Sequence, residues 1–417
     1  YFRDAHNLIG GETNMKKIIV LFGHKAVVKA AKEQGFYVIN ILQSNMLHST
    51  FIKACNFADE TVIINNLSEL DGLIDRIVST NIVAGIVSFT DTRDGVLKSA
   101  AYSEKLLSEN RFVTKESVDI LIDKKKMRDF LKSINLKLVP NIVPKTVDDV
   151  RQFLKVNGKS IIKPVAGQGS QDIFLIAPED RFEDIFPKQL NESLSNGWLI
   201  MEKFIDGKEV SVETLTYDGV TQIFGITDKY KIPKGTPHSQ FVESGHVFCA
   251  NLESYLVNDI YNNVRQIFNH LNVSTTLGHT EMIIGKGTNE VYVVESHLRA
   301  GGDCIPDLVE NVSGYNPYYL FFKALDGEQL PLITNKGRSG IFYYIPEVGK
   351  ISSVTKHSHT FSDDIYVKDR LDFTTIDVNP IQNSFDRKWG YIMLSGTNIE
   401  EAARKYFSEI CIEYERE

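Results

Sequence analysis

Two glutamates, Glu281 and Glu295, limit what this chain can fold into more than any other feature. Thr280-Glu281-Met282-Ile283-Ile284 and Val291-Tyr292-Val293-Val294-Glu295 read as strands, and Gly285-Lys286-Gly287-Thr288-Asn289 between them is rich in turn residues. A hairpin folded symmetrically about Thr288 sets Ile284 opposite Tyr292 and Glu281 opposite Glu295. Directly opposed residues share a face, with Cβ atoms about 4.5–5.5 Å apart. Two carboxylates so placed repel each other unless a cation lies between them. Alternation along an extended chain adds His297 and Arg299 to the same row. Hard oxygens, an imidazole and a guanidinium in one line suit a metal-phosphate site. An exposed hairpin laced with surface ion pairs would use the same residues, so other segments have to decide.

Composition narrows the function classes. The 417 residues suggest two or three compact units. A net charge of -8 argues against a general nucleic-acid binder. Cys55, Cys249, Cys304 and Cys411 are scattered, without metal-ligand spacing, which fits a reducing, cytoplasmic setting. No apolar run reaches the roughly 18–20 residues that span a bilayer. Residues 1–14 are polar, lack the apolar stretch of a secretory signal, and precede Met15; they are expected to be a leftover outside the fold.

Strand-like Lys17–Gly23, a helix over Val27–Gln34, strand-like Phe36–Ile41 and Thr61–Ile64, a helix near Glu69–Ser79 and strand-like Val83–Phe89 alternate along the chain. That order predicts an open, mostly parallel sheet over residues 15–115. The first strand runs into Gly23-His24-Lys25-Ala26-Val27, not a G-x-G-x-x-G turn, so this unit is a poor nucleotide site; no P-loop motif occurs anywhere. From residue 116 the texture changes: a charged helix over Ser117–Ile134, another near Val147–Asn157, then strands and turns from Ser160 to Asp228. Tyr255, Leu256, Ile260, Val264, Ile267, Phe268 and Leu271 recur at helical spacing, which predicts a core-facing helix over 254–271. After about residue 335, two apolar strands and a final helix from Ile399 suggest a small mixed unit.

Four segments stand in an order that suits a nucleoside triphosphate. Asp123-Lys124-Lys125-Lys126-Met127-Arg128 opens a helix with cations, which oppose the helix dipole and make sense if they reach toward an anion. Ser160-Ile161-Ile162-Lys163-Pro164 carries a lysine into the glycine loop Val165-Ala166-Gly167-Gln168-Gly169-Ser170, whose amides can close over phosphate. In Trp198–Glu209, extended backbone at Glu202–Ile205 offers the donor and acceptor that adenine requires, and Glu209 can accept from ribose hydroxyls. The acidic hairpin is the fourth. Each has an ordinary alternative, respectively a solvated helix face, a hairpin turn, a plain strand and a salt-laced ribbon.

Together these segments resemble the ATP-grasp superfamily of carboxylate-amine ligases, with matching segments from Lys124 to Arg299. The resemblance implies an α/β fold, α+β in part. It consists of an N-terminal Rossmann-like parallel-sheet domain (15–115), an ATP-grasp core (116–334) with a lid over about 160–208, and a small mixed C-terminal domain (335–417). It further implies that Lys124, Lys163, Gly167, Gly169 and Ser170 contact nucleotide, that Glu202, Lys203 and Ile205 line the adenine hinge, and that Glu209 meets the ribose. Glu281 and Glu295 would hold a pair of divalent ions, two Mg²⁺ with Mn²⁺ admissible. Phe241-Val242-Glu243-Ser244-Gly245-His246 and the Glu295-to-Arg299 spacing are most similar to the L-amino-acid ligases, which implies that Glu243, His246 and Arg299 surround the reacting substrates.

The implied chemistry is ATP-dependent amide or peptide bond formation between small amino-acid substrates through an acyl phosphate. An ATP-grasp carboxylase, a purine-biosynthesis ligase and a non-catalytic nucleotide-binding module are the rivals. Partners would be small molecules, not nucleic acid or membrane, and relatives are often homodimers. Two departures from the family pattern stand out. His297 replaces the usual asparagine beside the second carboxylate, and imidazole is a poor Mg²⁺ ligand, so a phosphate or substrate contact is expected of it. Gln171-Asp172 replaces a glycine late in the phosphate loop. Asp303, opening a helix at the substrate end, is expected to favour an amine-bearing substrate.

Overall fold

Ile18, Ile19, Val20 and Leu21 are wholly excluded from solvent because their strand, Lys17–Leu21, lies inside a parallel sheet. In this computed structural model, which describes residues 16–47, 49–90, 93–107, 112–167, 171–180 and 190–415, the chain divides between residues 109 and 110 into two compact units. The first carries a four-stranded sheet in the order Glu60–Ile64, Tyr37–Gln43, Lys17–Leu21, Val83–Val87, every pair parallel. Helices Lys25–Glu33 and Glu69–Thr80 alternate with the strands as expected, and Ser49–Cys55 and Arg93–Leu106 are two further helices that the sequence reading did not predict. Gly23 at the end of the first strand has a structural task. The buried Asn40 side chain accepts from its N–H and donates to its carbonyl, both at 3.1 Å. A Cβ there would stand 2.6 Å from Val20 Cγ1 and 2.7 Å from Asn40 Oδ1. That turn therefore has no spare Gly23 amide for a phosphate.

The second unit begins with two short helices where the sequence suggests one. Lys115–Ile122 and Lys124–Ser133 are separated at Asp123, whose extended backbone and carboxylate, accepting from the Lys126 amide at 3.0 Å, start the second helix afresh. A four-stranded antiparallel sheet follows, in the order Asn141–Ile142, Leu199–Lys203, Ser160–Pro164, Phe174–Ile176. Helix Val147–Asn157, started by a Thr146–Asp149 capping box, packs Val150 and Leu154 against Ile162, Ile176, Leu194 and Met201 of this layer. Asp172, at the position that lacks the customary glycine, takes φ +53, a left-handed conformation that aspartate tolerates.

The largest element is an eight-stranded antiparallel sheet. Its order is Val291–His297, Thr276–Gly285, Gly207–Tyr217, Val220–Lys231, Glu243–Phe248, Arg338–Tyr343, Tyr391–Gly396, Tyr366–Asp369. Val210, Val212 and Met282 are fully buried on one face. Helix Ser254–His270 packs against strands of this sheet through Leu256, Ile260, Val264, Ile267 and Phe268; Tyr255, expected in that stripe, is half exposed and accepts a hydrogen bond from Asn289 instead. A three-stranded sheet of Asp377–Val378, Gly349–Lys356 and Ile410–Tyr414 and the helix Ile399–Ser408 complete the unit. Among the described residues, no helix is long and apolar enough to cross a membrane.

Candidate active site

The hairpin register brings Glu281 opposite Glu295, as the sequence predicts, but by an unpredicted route. Near the turn Ile284 faces Val291 and Ile283 faces Tyr292, one residue out of the symmetric register. A bulge between Glu281 and Met282 then leaves Val294 unpaired and restores Glu281–Glu295, Thr280–Ser296 and His279–His297. Side chains alternate, so a one-residue slip would have turned one carboxylate to the other face; the bulge prevents it.

The sheet's polar face gathers the charges. Glu281 lies opposite Ser211, His279 opposite Glu213, Lys229 opposite both Glu209 and His246, and Lys231 opposite Glu243. Buried Lys229 reaches Glu281 Oε1 at 2.5 Å and Glu243 Oε1 at 3.4 Å; Lys231 reaches Glu243 at 2.9 Å and Glu209 at 2.8 Å. Burial alone would discharge the two lysines, but the surrounding glutamates raise both above their usual range. In turn burial would raise Glu243, and Lys231 and Lys229 outweigh it, holding that carboxyl down at about 2. His279 bonds Glu213 at 3.0 Å and Glu281 at 3.2 Å; against the effect of burial, those carboxylates raise it to about 9, so it is an imidazolium at neutral pH.

Glu281 and Glu295 are both ionised. Burial works against this, but Lys229 and His279 hold Glu281 well below the carboxylate range, and Lys124, His297 and Lys163 do the same for Glu295. Lys124 is the link between segments: buried at the start of its helix, its Nζ lies 3.1 Å from Glu295 Oε1 and donates to the Gly167 carbonyl at 3.2 Å. The neighbouring lysines turn away, Lys125 to Asp129 and Lys126 to Asp119. The expected cation cluster thus contributes two inward charges, Lys124 and Arg128. Glu281 and Glu295 side chains keep 25% and 22% of their exposure, so an open side remains from which an ion can reach two hard oxygens. His297 lies 3.4 Å from Glu295 Oε2 and stacks on His279; burial and Arg299 depress its pKa, leaving it neutral.

Lys163 is buried and paired with Glu202 Oε2 at 2.9 Å, while Arg128 takes Glu202 Oε1 at 2.7 Å. The Glu202 side chain therefore belongs to a buried ion triad and does not line an open hinge. Lys203 is exposed and Ile205 half-buried; the Lys203 amide is already bonded to Pro140 and that of Phe204 to Lys159, both at 2.9 Å. Gly167 is described; Gly169 and Ser170 lie outside the described residues. Arg299 is half-buried and donates to the Ala300 carbonyl at 2.8 Å, and its neighbours Leu298 and Ala300 face inward, so the alternation continues past the strand's end at His297.

The substrate end holds residues that the sequence reading missed. Asp303 accepts from both Nη atoms of Arg387 at 2.9 and 2.7 Å and bonds His246 Nε2 at 2.9 Å. It is fully engaged, so it offers no free charge for a cationic substrate, contrary to expectation. Glu213, Lys229, Lys231, His279 and Arg387 were overlooked, and Arg128 was read only as part of the cation cluster. Lys229 and Lys231 had a signal, two cations at period two in a strand; Arg387 had none.

A family model described as the ATP-grasp domain matches residues 156–307. The chain is 27% identical over 187 residues to the carbamoyl phosphate synthase large chain of Thermoanaerobacter sp. (strain X514), covering 44% of this chain and 17% of that protein. It is 28% identical over 162 residues to the L-arginine-specific L-amino acid ligase of Bacillus subtilis, covering 37% of each. The chain thus spans less than half the length of either curated relative. In three dimensions it is similar to an L-amino acid ligase from Bacillus licheniformis (TM-score 0.72, 18% identity, 97% of this chain and 100% of that one). It is also similar to phosphoribosylglycinamide synthetase from Anaerococcus prevotii (TM-score 0.68, 19% identity, 96% and 100%). Residues 156–307 thus match an ATP-grasp domain, the chain shares its fold with these two solved enzymes, and the resemblance to the L-amino-acid ligases appears in both comparisons.

Proposed function

We propose that this chain is an ATP-dependent ligase that joins the carboxylate of one small amino acid to the amine of another through an acyl phosphate, releasing ADP and phosphate. The observation that carries the reading is the direct opposition of ionised Glu281 and Glu295 beside Lys124, Lys163 and Lys229. Two carboxylates forced onto one face can hold divalent ions against a triphosphate. Their hard oxygens, anionic and partly open, fit Mg²⁺ or Mn²⁺. When bound, such ions supply charge neutralisation at the transferring phosphoryl group.

The chain's own residues do the rest. Lys124 and Lys163 add positive charge beside the phosphates, and the strand end at Lys203 and Ile205, with Glu209, holds the nucleoside. Phosphoryl transfer needs in-line positioning and charge neutralisation more than covalent help, which is what rigid strands provide. Arg299 grips the carboxylate and then the oxyanion of the tetrahedral intermediate. Glu243, kept anionic by Lys231 and Lys229, orients the incoming ammonium, and His246 borders the same end.

The test is a screen of amino-acid pairs with ATP and Mg²⁺ for phosphate release, with mass spectrometry of the product. Glu295→Ala should abolish ADP formation while leaving the fold intact; normal turnover would overturn the assignment of this carboxylate. ADP release that depends on bicarbonate instead of an amine would favour a carboxylase.

A further inference from the structure

His246 is 2% exposed and its two ring nitrogens differ sharply. Nε2 lies 2.9 Å from Asp303 Oδ2, whereas Nδ1 is buried with no hydrogen-bond partner among the described residues. An ionised carboxylate can only accept, so the proton of the neutral ring must sit on Nε2 and the lone pair on Nδ1. Asp303 is itself over-determined. Arg387 meets both its oxygens in a fork, donates also to the Glu243 carbonyl at 3.1 Å, and stacks 3.9 Å from the centre of the Tyr343 ring. Asp303 and the next residue, Cys304, both take left-handed backbone, φ +49 and +59; aspartate tolerates it, but at Cys304 the surroundings must enforce it. A strained corner clamped by a forked arginine is how an orienting carboxylate is kept in place.

We infer that Asp303, braced by Arg387, fixes the tautomer of His246 so that Nδ1 accepts the proton of the incoming ammonium. This rests on the ligase reading and assigns the base within it. Glu243, the other candidate, has both flanking lysines on its carboxylate and is a poor proton acceptor at neutral pH. The substrate ammonium gives one proton to Nδ1, making an imidazolium. The freed nitrogen lone pair attacks the acyl-phosphate carbonyl, and the carbon–oxygen bond to phosphate breaks. The nitrogen's second proton leaves with the phosphate, which departs as hydrogen phosphate, and the imidazolium then returns its proton to solvent. His246 is thus the catalytic residue, and Asp303 and Arg387 are positioning residues.

Hydroxylamine separates this role from a structural one, because it is already neutral at pH 7 and needs no base. In Asp303→Asn the amide can donate to Nε2, which moves the ring proton to Nδ1. Amide formation from amino acids should then fall about 10²–10⁴-fold in kcat, with KM for the amine little changed, whereas trapping of the acyl phosphate as hydroxamate should fall far less. Hydroxamate made by the same preparation also reports that the site is folded. Arg387→Lys, which keeps the charge but loses the fork, should show a smaller loss of the same kind. Equal losses with both nucleophiles would overturn the proposal. If wild type forms no hydroxamate, the ligase reading fails by itself. The tautomer is then read from the ¹⁵N shifts of His246: a protonated Nε2 and bare Nδ1 in wild type, exchanged in Asp303→Asn, uphold the arrangement, and a bare Nε2 in wild type overturns it.

Discussion

Glu202→Gln isolates the buried triad of Arg128, Lys163 and Glu202, whose members are 1%, 3% and 2% exposed. In the fold, burial raises the Glu202 carboxyl, and Lys163 and Arg128 together outweigh it and hold it at about 2. A glutamate titrating at about 4.3 when unfolded and about 2 when folded contributes about 3 kcal/mol at pH 7. The substitution keeps the shape but leaves two cations buried, and breaking a buried pair in this way costs about 3–5 kcal/mol. The two routes agree. Because the folded pKa is depressed, the contribution is complete above about pH 4.5 and is lost as pH falls through about 2. Urea unfolding, followed by fluorescence of Trp198 at the head of the strand that carries Glu202, should show a loss of about 3–5 kcal/mol, constant from pH 5 to 8 and narrowing below 4.5. A loss below about 1 kcal/mol, or one that widens on acidification, would refute the reasoning.

Arg299→Ala should cost amide formation about 2.7–4 kcal/mol of barrier while nucleotide affinity, read by calorimetry, changes little; equal losses would count against its oxyanion role. Gly23→Ala forces a methyl within 2.7 Å of Val20 and Asn40 and should destabilise the first unit by about 1–3 kcal/mol, seen by hydrogen exchange in its strands, without altering nucleotide affinity. Lys229→Met leaves Glu281 and Glu243 without their shared buried cation, so thermal unfolding should drop in chelator and recover in part on adding Mg²⁺; a loss indifferent to Mg²⁺ would show that no ion competes for that place.

What could be read from the sequence was whatever local periodicity encodes. The parallel strands of the first unit, the helix over 254–270 and the lysine-bearing strand before the glycine loop each announce themselves within a dozen residues. The face-to-face glutamates were legible too, although the symmetric register behind that expectation was one residue out at the turn. Parity saved it: the bulge at Val294 restores the alternation, and nothing in Val293-Val294 distinguishes a bulged valine from a paired one. The helix break at Asp123 was missed because Ser117–Ile134 keeps a helical pattern through it, and only the capping bond to Lys126 reveals the restart. Long-range charge pairing was the larger loss. Arg128 meets Glu202 across 74 residues and Asp303 meets Arg387 across 84, and no periodicity links such partners. This matters for mechanism, because a list of acidic residues cannot tell which are free. Glu243 and Asp303 look alike as sequence, yet one is quenched by two lysines and the other turns an imidazole, so the choice of base depends on counter-charges drawn from distant strands.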